Sequence, residues 1–207
     1  ILADMTDSGQ QHYFSATPEG EFKTRTITAE LAGAPRELIT AGSTFSPERL
    51  DQGTEILLRK IPAAEGSGSI LDLGCGWGPI ALAAALEAPE ATVWALDVNE
   101  RALDPTRRNA QALGLENVRA VTAAEIPDDL RFDEIRSNPP IRVGKEVLHA
   151  LLRTWLPRLV PGGVAYLVVA RHLGADSLQR WVAEEFPELE VYRLGRDKGF
   201  HVICAQA

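Results

Sequence analysis

Residues 70–80 read ILDLGCGWGPI, and this stretch decides the fold. A short apolar run leads through glycines at every second position into an Ala- and Leu-rich segment, which predicts a strand, a turn and a helix. Glycine is needed where backbone approaches a ligand closely or takes a positive φ. The spacing is tighter than the G-x-G-x-x-G of dinucleotide binders, and bulky Trp77 and Pro79 stand where a pyrophosphate would sit. We expect a nucleoside cofactor without phosphates, with a plain strand-to-helix turn as the alternative.

Outward from this stretch, strand-like and helix-like segments alternate. The predicted strands are 69–73, 92–97, 118–122, 131–137 and 163–170, and the predicted helices are 78–87, 100–113, 144–158 and 175–186. The strands are short apolar runs in which apolar and polar residues do not alternate cleanly. Both faces of the sheet should therefore be covered, as in a doubly wound, mostly parallel α/β sheet. The runs 189–194 and 199–205 predict an antiparallel hairpin that completes a seven-stranded, Rossmann-like sheet.

The N-terminal part has a different pattern. The Thr-rich run 22–28 and the run 36–41 predict a β-hairpin joined by the turn 33–35. Ser46 followed by Pro47 predicts the start of a helix that runs to about Lys60. We therefore divide the chain into an extension, residues 1–44, and a catalytic domain, residues 45–207. The role of the extension stays open between substrate contact, which we favour, a dimer contact and edge cover.

Acidic residues stand at the carboxyl ends of two predicted strands. Asp72 precedes the glycine turn and is expected to hold a cationic amino group. Asp97 ends the second strand, where a carboxylate can accept both hydroxyls of a ribose. Val98 and Asn99 follow and are expected to flank an adenine ring. The alternative for Asp97 is an N-cap of the helix that begins near Glu100, and both roles are compatible.

A second motif, Asn138-Pro139-Pro140-Ile141, follows the strand 131–137. This is the ligand edge of an open α/β sheet. Two prolines remove backbone donors and stiffen the turn, which leaves the Asn138 side-chain oxygen and the Pro139 carbonyl as acceptors. Two acceptors suit the N–H groups of a planar amine, orient its lone pair and stabilise the positive charge that develops on methyl transfer. A rigid loop is the alternative for the motif taken alone.

The bulk composition excludes several classes of protein. The 207 residues carry a net charge of -8, which argues against broad, nonspecific nucleic-acid binding but leaves room for a local basic patch. No apolar run is long enough to span a bilayer. Two cysteines and four scattered histidines predict neither a disulfide framework nor a metal site, so a reducing cytoplasm is the simplest setting. The candidates for a basic patch are Arg107, Arg108, Arg142, Lys145, Arg153 and Arg158.

From about Phe45 to the C-terminus the chain resembles class I S-adenosylmethionine-dependent methyltransferases. More narrowly, it resembles the methyltransferase small-domain family, which includes ribosomal RNA guanine-N2 methyltransferases. The resemblance implies S-adenosylmethionine as the cofactor and Asn138 and Pro139 as the catalytic positions. The implied cofactor-binding residues are Asp72, Gly74, Cys75, Gly76, Gly78, Asp97, Val98, Asn99, Glu125 and Asn138.

The resemblance also implies residues for substrate binding, with two departures from the family pattern. The implied residues are Phe45, Pro140, Ile141, Arg142 and Lys145. The family usually has an aromatic residue where this chain has Ile141, so Phe45 is expected to supply the ring that stacks on the base. The family often has histidine at the position of Arg142.

The leading functional hypothesis is methylation of an exocyclic amine of a nucleobase, most specifically guanine N2 in ribosomal RNA. A structured RNA, either free or within a ribosomal subunit, is the expected partner, with no metal and no membrane. One alternative keeps the chemistry and changes the acceptor to a protein glutamine amide or a small-molecule amine. Another is a catalytically silent module that binds RNA or protein. A nucleotide-dependent oxidoreductase is disfavoured by the glycine spacing.

Overall fold

A computed structural model of the protein describes residues 24–41 and 48–207. The N-terminal hairpin consists of β1 (Thr24–Leu31) and β2 (Ala34–Ala41). The main sheet consists of β3 (Ser69–Leu73), β4 (Thr92–Leu96), β5 (Val118–Val121), β6 (Phe132–Ser137), β7 (Leu159–Ala170), β8 (Glu190–Asp197) and β9 (Phe200–Gln206). The helices are α1 (Gln52–Lys60), α2 (Pro79–Glu87), α3 (Glu100–Ala112), α4 (Lys145–Trp155) and α5 (Ala175–Glu185).

The main sheet has the order β5-β4-β3-β6-β7-β9-β8. Strands β3 to β7 are parallel, and β9 runs antiparallel between β7 and β8. The predicted doubly wound, seven-stranded sheet with a C-terminal antiparallel hairpin is confirmed. The chain order reverses between the neighbours β3 and β6, and ligands of open α/β sheets bind at such a switch point. The glycine turn after β3 and the proline motif after β6 therefore share one edge.

The packing of the core explains why apolar and polar residues do not alternate along the strands. Apolar side chains of the central strands face helices on both sides, and Leu71 and Ile135 are fully buried. Helix α2 has apolar residues around its whole circumference because it packs between the sheet and further elements. Of the described helices, none is long and apolar enough to cross a membrane.

The β1–β2 hairpin packs against helices α2 and α3. Leu31 and Leu38 form a buried cluster with Trp77 of the glycine turn. The side chain of Asn109 on α3 accepts a hydrogen bond from the Ile39 N–H at 2.7 Å and donates to the Ile39 carbonyl at 2.9 Å. The hairpin thus covers the helices beside the glycine turn, and Trp77 and Asn109 anchor it there.

The first helix begins later than predicted. Its N-cap is Asp51, whose carboxylate accepts from the Thr54 N–H at 3.2 Å, and residues 48–51 are not helical. The helix start expected at Ser46 and Pro47 is therefore wrong, although those two residues themselves lie outside the described ranges. Smaller differences are that β7 begins at Leu159 and that the first hairpin turns at Ala32 and Gly33.

Candidate active site

The glycine turn is uncrowded at two of its three glycines, and only Gly76 adjoins open space. Gly74 and Gly76 have φ of +79° and +56°, which favours glycine at both positions. A Cβ at Gly74 would meet only Pro140 Cδ, at 3.9 Å, and a Cβ at Gly76 would meet nothing within 4 Å. The N–H groups of Gly74 and Cys75 both donate to the Leu96 carbonyl at 2.9 Å. The turn is therefore fixed to β4, and it faces the proline motif across a narrow gap.

The third glycine serves packing. Gly78 caps the N-terminus of α2 with φ of +88°, and a Cβ there would lie 2.6 Å from Thr106 Cγ2. The Thr106 hydroxyl donates to the Gly76 carbonyl at 3.2 Å. Close approach of α3 to the turn thus requires glycine at this position. A contact of Gly78 with the cofactor remains a prediction.

The Asp97 carboxylate braces the turn from β4. One oxygen accepts from the Gly76 N–H at 2.9 Å and the other from the Asn99 N–H at 2.8 Å. Burial raises the pKa of this carboxyl, and the hydrogen bonds from the Asn99, Gly76 and Val98 N–H groups oppose the shift. A carboxylate has about four lone-pair sites, so these three bonds leave one free for a ligand hydroxyl. Val98 beside it is 54% exposed, so its side chain is open to a flat apolar ligand.

Two other residues predicted at the adenine are engaged in capping. Asn99, rather than Asp97, is the N-cap of α3, and its side chain accepts from the Arg101 N–H at 3.0 Å. The Glu125 carboxylate accepts from the N–H and the hydroxyl of Thr122 at 2.7 and 2.9 Å, and these bonds lower its pKa. Cofactor contacts of Asn99 and Glu125 stay predictions.

Asp72 is a buried carboxyl below the turn. It is 1% exposed, and one oxygen accepts from the Ala81 N–H at 2.9 Å, while the other has no hydrogen-bond partner among the described residues. Burial raises its pKa to about 8, although the Ala81 hydrogen bond and nearby Arg136 oppose the shift. An unsatisfied buried oxygen is costly, and a cationic group would relieve that cost.

Cys75 is a packing residue in this geometry. Its thiol is 4% exposed and points to the Gly76 carbonyl at 3.5 Å. Burial, together with the carboxyls of Asp97 and Asp72, raises the pKa of the thiol well above its usual range. A reactive thiolate is therefore disfavoured.

The Asn138 side chain is held by the first turn of α1. Its Nδ2 donates to Asp51 Oδ2 at 2.8 Å and to Thr54 Oγ1 at 3.1 Å. Both amide hydrogens are thus used, so Oδ1 is the atom left to accept from a ligand. The backbone comes close here as well, since a Cβ at Gly53 would lie 3.3 Å from Asn138 Nδ2.

The rest of the motif forms a tight turn. The Pro139 carbonyl accepts from the Ile141 N–H at 2.8 Å, which leaves one lone pair for a second donor. Pro140 is half-buried and adjoins Gly74, whereas Ile141 packs against the main core. Arg142 and Lys145 are exposed immediately after the turn. Phe45, the predicted stacking residue, lies outside the described residues.

Three of the other predicted basic residues make contacts within the chain. Arg107 donates to the Ala120 carbonyl at 2.8 Å, and Arg153 pairs with Glu185 at 2.6 Å. Arg158 lies over the Trp155 ring at 4.8 Å. In the described part of the chain there is also no cluster of side chains suited to a metal ion.

The residues that the sequence analysis missed are Asp51 and Thr54. Both lie far from Asn138 in sequence, so spacing does not reveal the contact. The one available signal was Asp51, a residue type that local chemistry favours as a helix N-cap.

Comparison with known proteins places this geometry in a class. The Thermus thermophilus 16S rRNA N2 methyltransferase RsmC, whose structure holds AdoMet and guanosine, superposes with a TM-score of 0.78 at 25% identity, covering 92% of this chain and 52% of that chain. Thermus thermophilus TrmN gives a TM-score of 0.56 at 28% identity over 73% of this chain and 47% of that chain. The fold is that of the Rossmann-like methyltransferases.

The family follows from the sequence matches. The Methyltransferase small domain profile matches residues 36–204, so the chain belongs to that family. Uncharacterized protein YbxB of Bacillus subtilis is 31% identical over 95% of this chain and 98% of its own length. Ribosomal RNA small subunit methyltransferase C of Hahella chejuensis is 35% identical over 81% of this chain and 49% of its own length. The chain thus spans about half the length of the matched relatives of named function.

The chain is an S-adenosylmethionine-dependent methyltransferase, and its residues fit that cofactor. The open space at Gly76 lets a ligand approach the backbone of the turn. The Asp72 oxygen that has no partner among the described residues suits a cationic group, and the Asp97 carboxylate has a lone pair left for a hydroxyl.

Proposed function

We propose that this chain methylates the exocyclic N2 amine of guanine in ribosomal RNA. The observation that carries the proposal is the orientation of Asn138, whose Nδ2 is held by Asp51 and Thr54 so that Oδ1 is available as an acceptor. The named relatives support the acceptor class, since they include ribosomal RNA methyltransferases and a solved structure that holds guanosine.

The cofactor side of the proposal assigns S-adenosylmethionine to the crevice beside Gly74 and Gly76, where it supplies a sulfonium methyl. Asp97 would accept the ribose hydroxyls, and Val98 would lie against the adenine. Asp72 would face the cationic methionyl part, which relieves its unsatisfied oxygen. Each of these groups binds or orients, and none transfers a proton.

The acceptor side assigns a role to each oxygen of the proline motif. Asn138 Oδ1 and the Pro139 carbonyl would each accept one N–H of the amine, which turns its lone pair toward the methyl group. Positive charge develops on the nitrogen as it becomes methylated, and fixed oxygen dipoles stabilise that charge. The nitrogen would take the methyl group as the sulfonium C–S bond breaks, and its acidic N–H proton would then be lost to solvent, so no separate general base is needed.

Residues near the proline motif are assigned to substrate contacts partly because their side chains are exposed. Arg142 and Lys145 are exposed after the turn and would meet RNA phosphates. Pro140 and Ile141 would form the apolar floor, with Phe45 supplying the ring that Ile141 lacks.

Transfer of radiolabelled methyl groups tests the proposal directly. Purified protein is incubated with labelled S-adenosylmethionine and with protein-free ribosomal RNA, ribosomal subunits or an RNA-free protein extract. Label in RNA that digests to N2-methylguanosine is the expected result. Label in protein alone, or in a nucleoside other than guanosine, would overturn the assigned acceptor while leaving the methyltransferase class intact.

A further inference from the structure

We propose that a cationic cavity beside the active site binds a backbone phosphate of a nucleotide flanking the methylated base. The cavity has a volume of about 350 Å³ and lies between the turn that joins β8 to β9 and the segment after β7. Its cations are Arg171, Arg196 and Lys198. The inference rests on the proposed RNA substrate and extends it to a site that the proline motif does not include.

The charge of the cavity is positive although the chain as a whole is acidic. Two carboxylates also line it, but each is neutralised by an arginine outside the lining: Asp197 pairs with Arg59, and Asp176 pairs with Arg193. By contrast, the three lining cations are exposed, and none forms an ion pair with a described residue. Unpaired guanidinium groups in a concave surface are suited to a phosphate group.

A buried polar atom adds a second, independent observation. His201 lines the cavity, is 4% exposed, and its Nδ1 has no hydrogen-bond partner among the described residues. The Asp176 Oδ1 atom lies 3.5 Å away, beyond normal hydrogen-bond length and already engaged by Arg193. A buried polar atom without a partner in a cavity wall indicates that a ligand or water completes the site.

The position of the cavity suits a flanking nucleotide rather than the target base. Ser137, just before Asn138, pairs with Leu167 on β7, and Ala170 lies three residues further along, which is about 10 Å. Phe200 pairs with Ala170 and connects the two sites. A Cβ at Gly53 would contact Phe200 Cε1 at 3.1 Å and Asn138 Nδ2 at 3.3 Å. An RNA strand that places its base at Asn138 can thus run over Phe200 into the cavity.

The test compares two double variants of equal charge change. Arg171→Gln/Arg196→Gln removes two cavity cations. Arg119→Gln/Arg131→Gln removes two exposed cations near the amino ends of β5 and β6, away from the ligand edge. Binding of protein-free ribosomal RNA is measured by filter binding across a salt series, together with S-adenosylmethionine affinity and Tm.

The cavity variant is expected to bind RNA about tenfold more weakly than wild type at about 0.1 M salt. The slope of log affinity against log salt concentration should also become smaller, by about 0.7 for each phosphate that the variant no longer neutralises. In steady state, KM for RNA rises while kcat stays within about twofold. Equal RNA affinity and salt slope for the two double variants would overturn the cavity assignment alone. If wild-type protein bound S-adenosylmethionine but neither bound nor methylated RNA, the proposed function would fail and the cavity site with it.

Discussion

The two halves of the active site are held together in different ways. The cofactor half is fixed mainly through its own backbone N–H groups, since those of Gly74 and Cys75 donate to the Leu96 carbonyl and that of Gly76 donates to the Asp97 carboxylate. The acceptor half is fixed by side chains that meet across long sequence separations, as Asn138 reaches Asp51 and Thr54 over 87 and 84 residues.

This difference has a functional consequence. A turn fixed by main-chain bonds keeps its shape when most side chains change, so the cofactor half depends on its glycines and carboxylates. The acceptor half depends on one carboxamide orientation and therefore on every group that determines it. Binding and chemistry are then expected to separate under mutation, with changes around Asp97 affecting affinity and changes around Asn138 affecting rate.

The largest effect is expected for Asn138→Ala. Loss of the Oδ1 acceptor removes a preorganised dipole at the developing charge, so kcat should fall about 10²- to 10³-fold. S-adenosylmethionine affinity by calorimetry should stay within about twofold, because the turn at Gly74 is held by β4. Methyl transfer at a near wild-type rate would show that the motif is only a rigid loop, and an unchanged Tm is the control for folding.

The next effect is expected for Asp97→Ala on the cofactor half. Losing a carboxylate that would accept charged hydrogen bonds from a ribose should weaken S-adenosylmethionine binding about 10- to 100-fold. Glu125→Ala provides a matched control, because that exposed carboxylate is already engaged by Thr122. Equal losses in the two variants would extend the cofactor contact to Glu125, whereas no loss for Asp97→Ala would remove its ribose role.

The same contrast explains how much the sequence could predict. The strand–turn–helix at residues 70–87 was predicted correctly because glycine spacing, Pro79 and the apolar run all act locally. The start of α1 was wrong because Ser46-Pro47 and Asp51 are both acceptable helix starts by local chemistry. Asp51 also engages Asn138, a tertiary contact that no local pattern encodes.

Buried charge in β6 was equally hidden from sequence. Arg136 is fully buried and pairs with Glu134 at 2.6 Å and Glu87 at 3.2 Å, although the segment 131–137 was predicted as an ordinary covered strand. A charged residue in a strand covered on both faces indicates that an oppositely charged residue lies nearby. Which residue that is depends on how α2 packs against the sheet, and the sequence does not show this.

A smaller effect is expected for Thr54→Val, which keeps the side-chain shape but removes one acceptor of the Asn138 amide. The carboxamide then gains freedom to turn, so kcat should fall about three- to tenfold with S-adenosylmethionine affinity unchanged. Thr54→Ser keeps the hydroxyl and should restore the rate. Equal rates for the Val and Ser variants would mean that Asp51 alone orients Asn138, and a fall in cofactor affinity would contradict the separation of the two halves.

A separate effect, on stability rather than on rate or affinity, concerns the pH dependence of unfolding through Asp72, the buried carboxyl of the cofactor half whose second oxygen has no partner among the described residues. Burial raises its pKa from 3.8 to about 8, with Asp97 reinforcing and Arg136 opposing the shift. The folded state therefore favours the protonated form, so this stabilising contribution is complete below pH 3.8 and is lost as the pH rises to about 8.

Between pH 5 and pH 8, Tm of the cofactor-free wild type should fall more steeply than Tm of Asp72→Asn, which does not titrate. Saturating S-adenosylmethionine should flatten the wild-type profile if its cationic group satisfies the ionised carboxylate. Parallel profiles for the two proteins without cofactor would show that Asp72 does not titrate in this range, and an unchanged wild-type slope with cofactor would place the cationic group elsewhere.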